Sequence, residues 1–179
     1  PELNASAKVQ NGSSYVSEYN VEGFFGNAQY NYDEKYFASA SYRRDASSRF
    51  AKENRWGNFW HVGGAWLIND ENFMEDVAWV DQLKFKASIG QQGNDNIGNW
   101  AYTDLYSLTP VSNSQMSASF YRIGNPDITW ETTTNFNIGL EFGLFNNRLS
   151  GSIDYYNKKT TDLLFWLSVP ESAGSRGYY

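Results

Sequence analysis

The sequence predicts an all-β fold of antiparallel strands forming part of the wall of a transmembrane β-barrel, and three observations predict it. Apolar and polar residues alternate with a period of two over long runs, which is the pattern of extended strands with one apolar and one polar face. The runs reach roughly 10 residues, longer than the ~5 to 6 of globular sheets and long enough to cross a bilayer at a tilt. Aromatics make up 18 % of the residues while Leu, Ile and Val are sparse, a composition closer to a membrane girdle than to an aliphatic core. A soluble sandwich with one buried face per sheet is the competing reading of the alternation alone.

The clearest run lies between Trp130 and Asn157. Phe136, Ile138, Leu140, Phe142 and Leu144 point one way, toward lipid, and Asn135, Asn137, Gly139, Glu141 and Gly143 point the other, toward a lumen. Phe145-Asn146-Asn147-Arg148 is a tight turn, because Asn tolerates the positive φ that a hairpin needs. Leu149, Gly151, Ile153 and Tyr155 then return against Ser150, Ser152, Asp154 and Tyr156.

The remaining elements follow in order. Pro1 to Asn20 reads as loop, with a strand near its start. Phe24, Gly26, Ala28, Tyr30 and Tyr32 alternate with Phe25, Asn27, Gln29 and Asn31; after the turn Asp33-Glu34-Lys35, Tyr36 to Arg43 alternates in the same way. Arg44 to Gly57 is dense in charge and reads as a longer loop. A strand over Asn58 to Ile68 carries Trp60, Val62, Gly64 and Trp66 on its apolar face. In Asn69 to Trp79, Phe73, Met74, Val77 and Ala78 fall at helical spacing behind the acidic start Asp70-Glu71, which predicts a short helix. Leu83 to Gly90 is a strand, and Gln91 to Trp130 is a long irregular region with a short strand around Trp100 to Tyr106. Thr160 to Trp166 extends the last strand or begins a new excursion, and Val169 to Tyr179 reads as loop.

Tight connections therefore alternate with long ones, as in outer-membrane barrels with short periplasmic turns and long external loops. That places Asp33 to Lys35, Asn69 to Trp79 and Phe145 to Arg148 on the periplasmic side. Tyr30, Tyr32, Tyr36, Trp66 and Phe142 lie near those ends, where an aromatic belt sits.

Bulk properties exclude several functions. The 179 residues carry a net charge of −6 and no basic run, which argues against nucleic acid as a partner. There is no Cys, so disulfide frameworks, thiolate metal sites and cysteine nucleophiles are excluded. No stretch approaches the ~20 apolar residues of a spanning helix. A mean hydropathy of −0.60 does not imply solubility in a barrel, whose strands average lipid-facing and lumen-facing residues. The start at Pro1, without Met or signal peptide, suggests an interior piece of a longer chain.

Enzymatic constellations are thin. His61 is the only histidine and falls mid-strand on the polar face, where a lumen-lining role accounts for it. Ser47 and Ser48 beside Asp45 lack the glycines of a nucleophile elbow. Glu71, Glu75 and Asp76 read as a solvated face. Glu131, Glu141 and Asp154 lie on opposing strands, where paired acids can do glycosidase chemistry but more simply hydrogen-bond in a polar interior. In Gln91 to Asn96, Asp95 is the single carboxylate, which fits a strand-ending turn better than a calcium loop. No enzyme, metal or cofactor is expected. Trp100, Tyr102, Tyr106 and Tyr121 in the long excursion are candidates for stacking on a ligand.

Three strings resemble one family in order and spacing. They are Tyr42-Arg43-Arg44-Asp45-Ala46-Ser47-Ser48-Arg49-Phe50 with Asn54-Arg55-Trp56-Gly57-Asn58-Phe59-Trp60; Leu83 to Gln91 with Gly93-Asn94; and Asn125-Pro126-Asp127-Ile128-Thr129-Trp130-Glu131-Thr132 continuing through Asn137 to Phe142 and Asp154 to Leu164. Together they resemble the barrel of SusC/RagA-type TonB-dependent outer-membrane transporters, in the C-terminal half of the barrel. The Asn99 to Ser119 loop lies outside the resemblance. The resemblance implies a barrel of roughly 22 strands, of which residues 1 to 179 supply about seven as a partial barrel domain without plug, TonB box or native terminal strand. It also implies a bacterial outer-membrane location, import of oligosaccharides or peptides, a SusD-like surface lipoprotein as lid, energy from the TonB complex, and contact with lipid and the remainder of the barrel.

Overall fold

The computed structural model describes residues 16–112, 115–170, 172 and 177–179. The expected strand near the start of the chain falls outside them. Six strands form one antiparallel sheet in the order β1-β2-β3-β4-β7-β8: β1 (Val21–Tyr32), β2 (Tyr36–Ser47), β3 (Trp56–Leu67), β4 (Val80–Asn94), β7 (Glu131–Leu144) and β8 (Leu149–Thr161). Between β4 and β7 the chain leaves the sheet to make a separate hairpin, β5 (Leu105–Ser112) and β6 (Gln115–Arg122). Two short strands, β9 (Leu167–Ser168) and β10 (Gly177–Tyr178), pair near the end. The wall strands run 12 to 15 residues, the length expected of tilted spanning strands.

Register makes the two faces continuous. One row reads Tyr32, Tyr36, Trp66, Phe85, Leu140 and Ile153 across all six strands. The next rung along reads Asn31, Phe37, Ala65, Lys86, Gly139 and Asp154 on the opposite face. Because the side-chain period is two, a slip of one residue in any strand would place its apolar set on the polar face. Phe136, Ile138, Leu140, Phe142 and Leu144 all fall on the apolar side, and no second sheet covers them among the described residues. A soluble sandwich would bury that face against a partner layer. The structure instead leaves Tyr30, Tyr155 and Ile153 on it at least 60 % exposed.

The tight turns are as the sequence indicates. Asp33 and Glu34 have φ of 53° and 55°, and Phe145, Asn146 and Asn147 have φ of 58°, 58° and 56°. The expected helix at Asn69 to Trp79 is corrected to two 3-10 turns, Ile68–Asp70 and Asn72–Met74, separated by Glu71 in extended conformation. Side chains here compete with the helical ladder. Asn69 Oδ1 accepts the backbone N–H of Leu83 at 3.0 Å, and the Glu71 carboxylate accepts from Trp66 Nε1 at 2.9 Å and from the Tyr36 hydroxyl. The charged stretch after Arg43 is also more ordered than expected. β2 continues to Ser47 and β3 begins at Trp56, with Ser47 N donating to Arg55 O at 3.1 Å.

The long excursion holds the largest correction. No strand spans Trp100 to Asp104, because Trp100 is left-handed at φ 64° and Thr103 N closes a turn onto its carbonyl. The hairpin lies further on, with Tyr106, Leu108 and Pro110 opposite Phe120, Ala118 and Met116. The alternation of these with Ser107, Thr109, Ser117 and Ser119 was present in the sequence, masked by Pro110. The last wall strand extends to Thr161 and ends where Asp162 turns left-handed at φ 55°.

Candidate functional site

Two features occupy the polar side and one end of the sheet: a polar wall with a hollow over it, and a loop cap. The hollow, of about 560 Å³, lies over the middle of the wall between Gln29, Ser39, His61, Ser88, Asn137 and Asp154. Its floor is set by glycines and small residues, so the longer polar chains project around open space. His61 sits in the rung Asn27, Ser41, His61, Gly90, Asn135, where Gly90 leaves room for it: a Cβ there would lie 3.1 Å from the His61 Cβ. His61 thus lies on the polar face, where the alternation places it.

Three charged residues staple the wall. Lys86 on β4 places Nζ 2.8 Å from Glu141 Oε1 on β7 and 3.1 Å from Asp154 Oδ1 on β8. Two of the three acids singled out in the sequence are thus held by one lysine. Glu131, the third, lies at the other end of β7, accepting from Asn94 Nδ2 and from Leu164 N, each at 3.1 Å. The three acids form no common acid-base pair. Among the described residues no group of three His, Asp or Glu side chains is placed to hold a metal ion.

Among the described residues, the buried hydrophobic core lies in the cap. Phe50, from the β2–β3 loop, is fully buried and packs with the buried Phe59, Ile97, Ala101, Ile128 and Trp130, which come from three other segments. Trp130 centres it, with ring centroids 5.4 Å from both Phe50 and Phe59 and Nε1 donating to Arg55 O at 2.9 Å. Close approach needs glycine at Gly93, where a Cβ would lie 2.0 Å from the Phe59 ring.

Asp95 ties the cap to the wall. Its carboxylate accepts from the Tyr19 hydroxyl at 2.6 Å and the Ser47 hydroxyl at 2.7 Å, and its carbonyl accepts from Arg49 Nη1 at 3.0 Å. Arg49 in turn lies 4.1 Å above the Tyr19 ring. Burial and the Asp95 carboxylate both push the Tyr19 hydroxyl above its ordinary range, so it stays a donor. The strand-ending role of this segment is therefore a hub joining three loops, with Asn96 N returning to Asn94 Oδ1 at 3.0 Å.

The four aromatic candidates do not form a single patch. Trp100 is 60 % exposed with its ring 6.2 Å from Tyr102, which packs on the cap core. Tyr106, 61 % exposed, meets Phe120 edge-on at 5.1 Å. Tyr121 follows Phe120 in β6 and so lies on the other face of the hairpin. Sequence reasoning missed the buried Arg122, whose guanidinium donates to the carbonyls of Trp100 at 2.7 Å and Asn99 at 3.3 Å and so fixes that turn.

Comparison with known proteins agrees with this architecture. Residues 2–179 match the family described as TonB dependent receptor-like, beta-barrel. The chain is 36 % identical to the TonB-dependent receptor SusC of Bacteroides thetaiotaomicron over 92 % of its own length and 17 % of that protein's. It is 37 % identical to the TonB-dependent receptor P39 of Formosa agariphila over 86 % of its length and 15 % of that protein's. A chain in the structure of the RagAB peptide transporter superposes with a TM-score of 0.85 at 36 % identity, covering 92 % of this chain and 18 % of that one. The chain thus spans less than a fifth of the length of these relatives, and within that span it belongs to the TonB-dependent receptor β-barrel family of the bacterial outer membrane, in its SusC/RagA group.

Proposed function

We propose that this chain supplies part of the barrel wall and the external loop cap of an active outer-membrane importer for oligosaccharides or peptides. The single observation that carries this is the two-faced six-stranded wall, apolar on one side and polar with a hollow on the other, in a chain similar to SusC and to the RagAB peptide transporter. Residues 1 to 179 are a partial barrel domain, completed by the remainder of the barrel. Phe136, Ile138, Leu140, Phe142 and Leu144 face lipid, and Asn137 and Asp154 face the lumen. A SusD-like lipoprotein caps the loop end, and the TonB complex supplies energy through other parts of the protein. In this reading the chain does no catalysis: Glu131, Glu141 and Asp154 are absorbed in holding strands together.

Trp100, Tyr102, Tyr106 and Tyr121 are the residues offered to ligand or lid. Support comes from the exposure of Trp100, Tyr106 and Tyr121 and from the independence of the hairpin, which pairs with no other strand of the described chain. Deleting Asn96 to Phe120 from the full-length protein and measuring ligand uptake and lipoprotein co-purification tests the reading. Loss of either is expected with the barrel still folded; unchanged uptake and lid binding would remove the loops from the function.

A further inference from the structure

Trp56 and Trp66 lie on the apolar face of the same strand, ten residues apart. At ~3.3 Å per residue they are about 33 Å apart along β3, or about 23 to 27 Å along the membrane normal at a tilt of 35 to 45°. That is the height of the apolar band of such a barrel, ~25 Å. Trp66 marks one interface, beside Tyr36 at 6.3 Å and the turn residue Glu71. Trp56 therefore marks the other, at the loop end.

A cation is fixed at that second interface. Arg44 shares a rung with Phe24 and Asn58, and its guanidinium lies 5.0 Å over the Trp56 ring, which also stacks on Phe24 at 6.2 Å. Arg43 pairs with Asp45, and Arg49 with Asp95, but Arg44 is exposed and makes no ion pair among the described residues. Glu22, two rungs further out on the same face and in register with Ala46, makes no ion pair with Arg44 either. Beside Arg44, the Tyr42 hydroxyl donates to Asn58 Oδ1 at 2.7 Å, which commits the oxygen and leaves the amide nitrogen of the exposed Asn58 as a second donor.

A guanidinium and an amide donor, side by side at the edge of the apolar band and flanked by Trp56, Trp60, Phe24 and Tyr42, match one chemistry. The donors suit a phosphate, and the rings suit acyl chains leaving it toward the bilayer centre. We propose that Arg44 and Asn58 form a binding site for the phosphate of a lipid A-type glycolipid in the outer leaflet. The proposal rests on the reading of the loop end as extracellular.

The test uses the full-length protein, delipidated in mild detergent and titrated with phosphorylated lipid A, with bound lipid counted by native mass spectrometry. Arg44→Gln is expected to lower retention about five-fold, the effect of one interfacial cation, while Arg44→Lys keeps most of it. Asn58→Leu gives an independent second decrease, and heat-modifiable migration confirms that each variant is folded. Lipid A stripped of phosphate is expected to bind wild type no better than it binds the Arg44→Gln variant. Equal retention by wild type and Arg44→Gln, or equal binding of both lipid forms to wild type, overturns the site. Orientation is read separately from Glu53→Cys and an impermeant maleimide on intact cells. Labelling together with unchanged lipid retention removes the glycolipid site alone; absence of labelling overturns the orientation beneath it.

Discussion

Lys86 reaches Asp154 across a strand, with Nζ 3.1 Å from Oδ1, because the residue between them on β7 is Gly139. A Cβ at that position would lie 2.3 Å from Asp154 Oδ1 and 2.5 Å from Lys86 Cε. The glycine is a gap through which one lysine joins three strands.

Filling the gap should uncouple the pair without unfolding the wall, since both obstructing atoms end flexible side chains. In Gly139→Val, Asp154→Asn should cost nothing further, whereas in the wild type it should carry a small cost, as both groups are more than a third exposed. A double-mutant cycle on urea unfolding of the full-length protein in detergent measures it. An undiminished cost of Asp154→Asn in the valine background would show that Lys86 does not use this route.

Face assignment has a direct test at Leu140 and Asn137, which lie on opposite sides of β7. Leu140→Arg should destabilise the membrane-inserted protein, by less than the roughly 2 to 4 kcal/mol of a bilayer-midplane arginine because its rung runs to Trp66 and Tyr36 at the interface. Asn137→Arg, lining the hollow, should be mild. Folding titrations into lipid vesicles compare the two, and equal tolerance would overturn the face assignment.

The cap core should be separable from the wall. Phe50→Ala removes a fully buried ring from the junction with Trp130, at a cost of about 3 to 5 kcal/mol to the packing of the loops. The long wall strands are held by their own ladders. Trypsin should then cut at Arg49 or Lys52 while heat-modifiable migration of the barrel persists; loss of both together would show that cap and wall fold as one unit.

Acid should loosen the turn between β3 and β4. Hydrogen bonds from the Tyr36 hydroxyl and then from Trp66 Nε1 hold the Glu71 carboxyl below its ordinary range. A carboxyl lowered on folding adds stability that is present above its unfolded value and lost as pH falls through the folded one. Trp66 fluorescence should therefore change below the ordinary carboxylate range in the wild type and not in Glu71→Gln. An identical acid response in both proteins would exclude this clamp.

Most of the wall is legible in the sequence because register follows from alternation. Phe136 to Leu144 can face only one side once the strand period is two, and Asn146-Asn147 supply the positive φ that closes the turn. Legibility fails where side chains bind backbone. Phe73, Met74, Val77 and Ala78 have helical spacing, yet Asn69 and Glu71 draw the segment into 3-10 turns by serving Leu83 and Trp66. It also fails at the hairpin, since Pro110 disguises an alternating run whose partner Met116 lies on another strand. In the sequence the aromatic candidates are legible only as a residue type. Their separation into the Trp100–Tyr102 turn and two faces of a hairpin depends on how the excursion folds back.

By itself the sequence determined that this protein is a wall of two-faced strands with tight turns at one end, because strand periodicity and turn chemistry are local properties. Only the tertiary structure decided which groups meet across strands: Lys86 with Asp154 through Gly139, Asp95 with Tyr19 and Ser47, and Arg44 over Trp56 beside Asn58. Those meetings join residues from separate strands and loops. Pairing register and loop closure bring them together, and no local pattern encodes either.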